Sequence, residues 1–307
     1  MSAATSQEPT KWIGWAAVLF AAGISGSNYV VSRYGMKSAI SANDMIALRI
    51  GIAGLVMLPL LWVKGIGKIS EIGWRRGLIL SALAGAPYSL MILWGLRYAP
   101  AAHGGVLVTA TVPLIVAFGL WITMGVRVTG VRLLLLMAIL IGITMVMGGF
   151  SIISDFSGPD VLFGDLLFVM AGAGMGVFSI LLRRWRYDAL LVSALVSVLS
   201  LAYLPVYFFL LDPDFSRATI GQILFHGFNQ GILNAVAALF LFSYGVGILG
   251  PQRAVLGIAT VPVIAALMAI PMLGELPAPI QWLGIALVVG SVILSAQVQD
   301  KAPIEKS

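Results

Sequence analysis

Long apolar stretches, each of about 20 residues, divide this chain, and its few charges collect between them. About 20 apolar residues are what a helix needs to cross a hydrocarbon core of ~30 Å. Lipid offers no hydrogen bonds, so the backbone must satisfy its own, and helices do so within one segment. A barrel needs ~10-residue alternating segments, whereas Leu133–Met147 is apolar on every side. With 60% apolar and 10% charged residues, a soluble fold would lack polar surface, since such domains carry about 25% charge. The sequence therefore predicts an all-α polytopic membrane protein.

Ten transmembrane helices can be placed: Trp12–Ser32, Met45–Val63, Gly77–Leu96, Ala101–Met124, Leu133–Phe150, Leu162–Leu182, Ala189–Leu211, Ile220–Leu249, Gln252–Met272 and Ile280–Gln297. They are called spans one to ten below. Span eight is long enough to include a surface segment near Gly221–His226, and Gly245, Gly247, Gly250 and Pro251 mark a short break before span nine. The first apolar run reads as a span, not a cleaved leader. With the N-terminus in the cytoplasm, thirteen of the 18 Lys and Arg fall on cytoplasmic segments and four outside, Arg49 lying within span two. Basic residues favour the cytoplasmic side, so both termini are expected there, in a cell inner (plasma) membrane. The net charge of +6 is then a topology signal, and no nucleic-acid partner is expected.

The halves repeat. Ala22–Gly26 followed by Arg33 recurs as Gly172–Gly176 followed by Arg183, Thr111-Val112-Pro113 recurs as Thr260-Val261-Pro262, and Gly142 recurs as Gly290. The expected organisation is a cytoplasmic tail at 1–11, a first five-helix repeat at 12–150, a second at 160–298 and a cytoplasmic tail at 299–307. Five is odd, so the second repeat enters the membrane inverted. Inverted repeats are the architecture of alternating-access transporters, with the substrate site near mid-membrane between them.

Little chemistry is available inside the spans. Without cysteine, disulfides, thiol catalysis and Cys-ligated zinc are excluded. A His-Glu-x-x-His helix and paired intramembrane aspartates are absent, which argues against an enzyme; no metal or cofactor is expected. The small loops argue against a scaffold protein. No acidic residue falls at mid-helix, and Asp165 reads as lying just inside the mouth of span six. A buried carboxylate for proton coupling is thus missing, and transport should be facilitated.

Polar and aromatic residues within the spans are the substrate-binding candidates: Asn28, Tyr88, Met91, Trp94, Thr109, Phe178, Ser179 and Asn234. Hydroxyls commonly bond back to their own helix, so the two asparagines weigh more. Tyr88 and Asn234 hold roughly equivalent places in the repeats and are expected on one central cavity, neutral and aromatic, suited to a neutral or zwitterionic solute. Arg49, His103, Arg253 and Glu275 are the gating or coupling candidates. Arg49 follows Asp44 by five residues and also reads as an arginine snorkelling to the outer interface. Pro113 and Pro262 are candidate hinges, paired by the repeat.

The order and spacing of several short motifs resemble the drug/metabolite transporter superfamily, specifically its EamA-type members. They are Gly23-Ile24-Ser25-Gly26-Ser27-Asn28, Ala47-Leu48-Arg49, Leu96-Arg97-Tyr98-Ala99-Pro100, and Gly274-Glu275 followed by Gln281-Trp282-Leu283-Gly284 and Gly290. The resemblance covers roughly residues 12–297. It implies a ten-helix basket exporting small metabolites, often amino acids, and is most similar to the aromatic-amino-acid exporter group. One position departs: a Glu often follows helix four, where this chain has Arg127. The expected function is an exporter or facilitator of amino acids and similar metabolites, working as a monomer in the lipid bilayer. Drugs, nucleotide sugars and lipid-linked substrates are the alternatives.

Overall fold

The computed structural model describes residues 8–124, 129–148, 158–211 and 213–298. The expected tails at 1–7 and 299–307 lie outside them, as does Arg127. Span one is Glu8–Ser38 and span two Ala42–Ile72, so both run well past their apolar cores. Arg33 and Lys37 therefore stand on a helical extension of span one. Span three is two helices, Trp74–Ala84 and Ala86–Tyr98. Pro87 supplies no N–H and crowds the preceding turn, and the break falls at Gly85; the Ala86 N–H donates to Ser200 Oγ of span seven at 3.1 Å. Span four, Ala101–Met124, continues through Pro113, and span five is Gly130–Val146, capped by Thr129.

Span six is Pro159–Trp185. Span seven comprises Ala189–Ser200 and Tyr203–Leu210. Span eight runs from Ile220 to Leu249, but its middle, Phe228–Ala237, is π-helical. Span nine is Pro251–Ile258 and Val261–Leu273, entered through Gly250 at φ 81°. Span ten is Pro279–Gln297. Among the described residues nine helices are long and apolar enough to cross a membrane, and Gly130–Val146 is a shorter apolar helix. At 17 residues it is about 26 Å long. Exposed Trp62, Leu134, Phe209 and Leu210 form the apolar outer belt that lipid would cover.

The packing obeys the repeat. Span one packs on spans eight and nine, and span six packs on spans three and four; spans two and seven, four and nine, and five and ten pair with their own counterparts. Exchanging n with n+5 leaves this pattern unchanged. Atomic contacts follow it too. A Cβ on Gly26 would meet Ile264 Cβ at 2.9 Å and the Val261 carbonyl at 3.0 Å; one on Gly176 would meet Ile115 Cβ at 2.7 Å and the Val112 carbonyl at 3.3 Å. These are the same contacts displaced by one repeat, and they explain the recurring glycines as close-approach points between helices. The outcome is two three-helix bundles, one-eight-nine and three-four-six, each borrowing one span from the other repeat.

Three expectations are corrected. The segment Gly221–His226 is part of span eight, and His226 is buried. The paired prolines are not equivalent hinges: helix persists through Pro113, whereas Pro262 opens the second helix of a broken span. Acidic residues are also buried within helices, Asp44 at 1% and Asp165 at 0% exposure, contrary to the reading that no such carboxylate exists.

Candidate functional site

A cavity of about 310 Å³ lies between the two bundles. Its lining comes from the middle of spans one to three and from the parts of spans six to nine that run toward the face where span one begins and span ten ends, here the terminal face. Arg49, Tyr88, Phe178 and Asn234 line it, with Ser25, Ser89, Ser193, Ser197 and Ser200 as further polar groups. A smaller recess of about 90 Å³ shares Ser25, Arg49, Tyr88, Ser89 and Asn234 and adds Asn28 and Tyr29.

The π-helical stretch supplies Asn234 to this cavity and a polar seam beside it. Its i→i+5 bonding widens the turn and brings Asn229 to the side that Gln230 and Asn234 share, facing spans one and two. The Asn229 amide donates to Asn28 Oδ1 at 3.1 Å, and the Gln230 amide donates to Ser32 Oγ at 2.5 Å. Arg49 Nη1 donates to Asn234 Oδ1 at 2.6 Å and to Gln230 Oε1 at 3.3 Å. Arg49 is thus neither an interfacial snorkel nor a partner of Asp44. Asp44 is occupied elsewhere: it accepts from Ser41 and from the Tyr207 hydroxyl, 2.5 Å away. Among the described residues no carboxylate pairs with Arg49, so the cavity holds a cation met only by neutral amide oxygens. Gln230 stands four residues before Asn234 and Ser32 four after Asn28, so helical spacing places each on the face of an expected site residue. Only Asn28 and Asn234 are singled out in the sequence, because amides and hydroxyls inside spans are common.

Four expected lining residues lie elsewhere. The Trp94 indole N–H donates to Asn43 Oδ1 at 3.1 Å, Ser179 bonds back to the Met175 carbonyl at 2.8 Å, and Met91 packs on the apolar core. Thr109 lines neither the cavity nor its recess. Arg253 is exposed near the terminal-face start of span nine.

The opposite face is joined by polar links, most of them between repeats. Glu275, in the turn between spans nine and ten, accepts from Arg33 Nε at 2.5 Å, from Lys37 Nζ at 2.9 Å and from the Ala101 N–H at 3.0 Å. Arg33 also donates to the carbonyls of Leu96 and Ala99. Glu275 so caps the N-terminus of span four, a favourable place for an anion, and ties it to span one. Burial alone would push this carboxyl upward, but the Ala101 N–H, Lys37 and Arg33 together hold it below its ordinary value.

Nearby, His103 Nδ1 and Asp165 Oδ1 lie 2.8 Å apart, and Gln281 bridges His103 Nε2 at 2.9 Å to the Val146 carbonyl at 3.0 Å. At the terminal face, exposed Arg76 donates to the Tyr187 hydroxyl at 2.7 Å across the repeats. Arg183, the repeat counterpart of Arg33, is exposed there with Arg184.

A family model described as "EamA-like transporter family" matches residues 11–148 and again 162–297. A solved structure described only as a crystal structure of a protein shares the fold at TM-score 0.58 and 21% identity, over 94% of this chain and 96% of that one. No curated protein matches the chain. Two successive matches cover both halves of a helical bundle whose contacts repeat on the same register, and the chain belongs to the EamA-like transporter family of membrane transporters.

Proposed function

We propose that this protein moves small neutral or zwitterionic metabolites, amino acids foremost, across the plasma membrane by alternating access between its inverted repeats. The observation that carries the reading is Arg49: a guanidinium in the central cavity, met by amide oxygens and no carboxylate. Such a cation suits the carboxylate of a solute through charge-assisted hydrogen bonds. Tyr88, Asn234 and the serine hydroxyls offer neutral acceptors for an ammonium group, and Phe178, Met175 and Phe242 supply an apolar wall. At about 310 Å³ the cavity sits at the small end of ligand pockets, about 300–1,000 Å³, which favours an amino acid over a nucleotide sugar.

With both termini in the cytoplasm, the cavity is the inward-open state and the links at the opposite face form its closed outer seal. One chain encloses the whole cavity, so a monomer suffices. The test is counterflow in proteoliposomes preloaded with unlabelled amino acids. Wild type should take up label against a subset of neutral amino acids, and Tyr88→Ala and Asn234→Ala, folded normally, should not. Absence of counterflow with every amino acid would reject the substrate class.

A further inference from the structure

We propose that His103 and Asp165 form a binding site for one proton, and that its occupancy is coupled to solute movement; this rests on the transporter reading above. Asp165 lies six residues inside span six and is wholly buried. Its Oδ1 faces His103 Nδ1 at 2.8 Å, while Oδ2 is buried with no hydrogen-bond partner.

The network fixes the histidine tautomer. Gln281 reaches the Val146 carbonyl, which can only accept, so that end of the amide is its NH2. The same NH2 stands 2.9 Å from His103 Nε2, which must then accept. His103 therefore carries its proton on Nδ1 and donates it to Asp165 Oδ1. Oδ2 is the open position: a proton arriving from water forms an O–H bond there, turns the carboxylate into a neutral acid and breaks no existing hydrogen bond.

The surroundings supply no competing charge at the pair itself. Span ten contributes Gln281 and span five the Val146 carbonyl. Span one contributes the Tyr29 ring, which lies against Gly104. Tyr98, at the end of span three, packs edge-on against Phe163 of span six, and Arg97 lies over the Tyr98 ring. Asp160 is exposed at the start of span six. The Arg33–Lys37–Glu275 cluster sits on the Leu96, Ala99 and Ala101 backbone just before His103.

The pair also has no repeat counterpart. The repeat offset of 149 to 150 carries His103 onto Gln252 or Arg253 and Asp165 onto Ala16 or Trp15. The network joins spans four, five, six and ten across the repeats within the closed face. Loaded and unloaded forms differ by one charge inside that seal, so proton occupancy biases the balance between the two open states. A bias of that kind is the thermodynamic requirement for coupling.

Two measurements separate this proposal from the transport reading. Counterflow exchange needs no net proton movement and tests transport alone. In vesicles that show it, a pH step of about one unit should drive about tenfold accumulation at one proton per solute. Asp165→Asn, which keeps an acceptor for His103, should abolish that accumulation while melting like wild type. Infrared difference spectra between neutral and acidic buffer need no solute. Wild type should show the C=O band of a newly protonated carboxylic acid, lost in Asp165→Asn and displaced in His103→Gln. Counterflow without gradient-driven accumulation, or a band unchanged in Asp165→Asn, overturns the proposal.

Discussion

Arg49 shows what one residue does in a low-dielectric cavity. Its partners are amide oxygens 2.6 and 3.3 Å away, so its charge is hydrogen-bonded but not neutralised, and a solute carboxylate would complete it. A hydrogen bond to a charged group contributes about 1.5–3 kcal/mol. Arg49→Gln should therefore raise the KM for carboxylate-bearing solutes about 10- to 100-fold in vesicle uptake. An unchanged KM would assign the arginine to the hydrogen-bonded frame of spans two and eight alone. Glu275 carries a pH prediction. Its carboxyl is held below its ordinary value of about 4.3 by donors that favour the charged form. Its contribution is therefore complete at neutral pH and is lost only as pH falls through that lowered value. Terminal-face accessibility should accordingly show no step from Glu275 near neutrality and fall in acid, and Glu275→Gln should remove the acid step.

Helices in this chain are positioned by where two backbones can approach. Gly26 admits span nine and Gly176 admits span four through matched contacts, whereas the space around Gly23 is open. Overpacking a close contact costs about 1–3 kcal/mol. Gly26→Val and Gly176→Val should each lower the detergent melting temperature by comparable amounts, and Gly23→Val should leave it nearly unchanged. A large effect of Gly23→Val would contradict this packing. Span eight adds a second device. Gln230 and Asn234, four residues apart, share a face in any helix; the i→i+5 bonding of the π-helical stretch turns Asn229 toward that side as well, where it meets Asn28.

At the scale of the whole molecule the two faces are unequal although the scaffold is doubled. Glu275 joins both bundles at the face opposite the terminal one, and Arg183 stands exposed at the terminal face. On the proposed reading, the face held by Glu275 is the one closed at rest. The chain contains no cysteine, so Ser25→Cys gives a single reporter on the cavity wall. An impermeant maleimide should label it from the terminal face, and a transported solute should protect it. Adding Glu275→Gln should slow that labelling several-fold by releasing the outer seal. Labelling unaffected by Glu275→Gln would mean that the turn caps span four without holding the face shut.

The sequence by itself determined the class and the repeat. Uninterrupted apolar length leaves only helices in lipid, and the Thr-Val-Pro and Gly-Ala echoes register one half on the other. Glu275, His103 and Arg49 were legible as candidates because charge among apolar residues is costly. Their partners were not, since they come from spans distant in the chain: Arg33 meets Glu275, His103 meets Asp165, and Arg49 meets Asn234. Asp165 reads as a mouth residue because it stands three residues into the expected span Leu162–Leu182, yet packing against span four buries it completely. Burial depends on what lies beside a residue and not on how far along its helix it stands, and tertiary structure alone decides that.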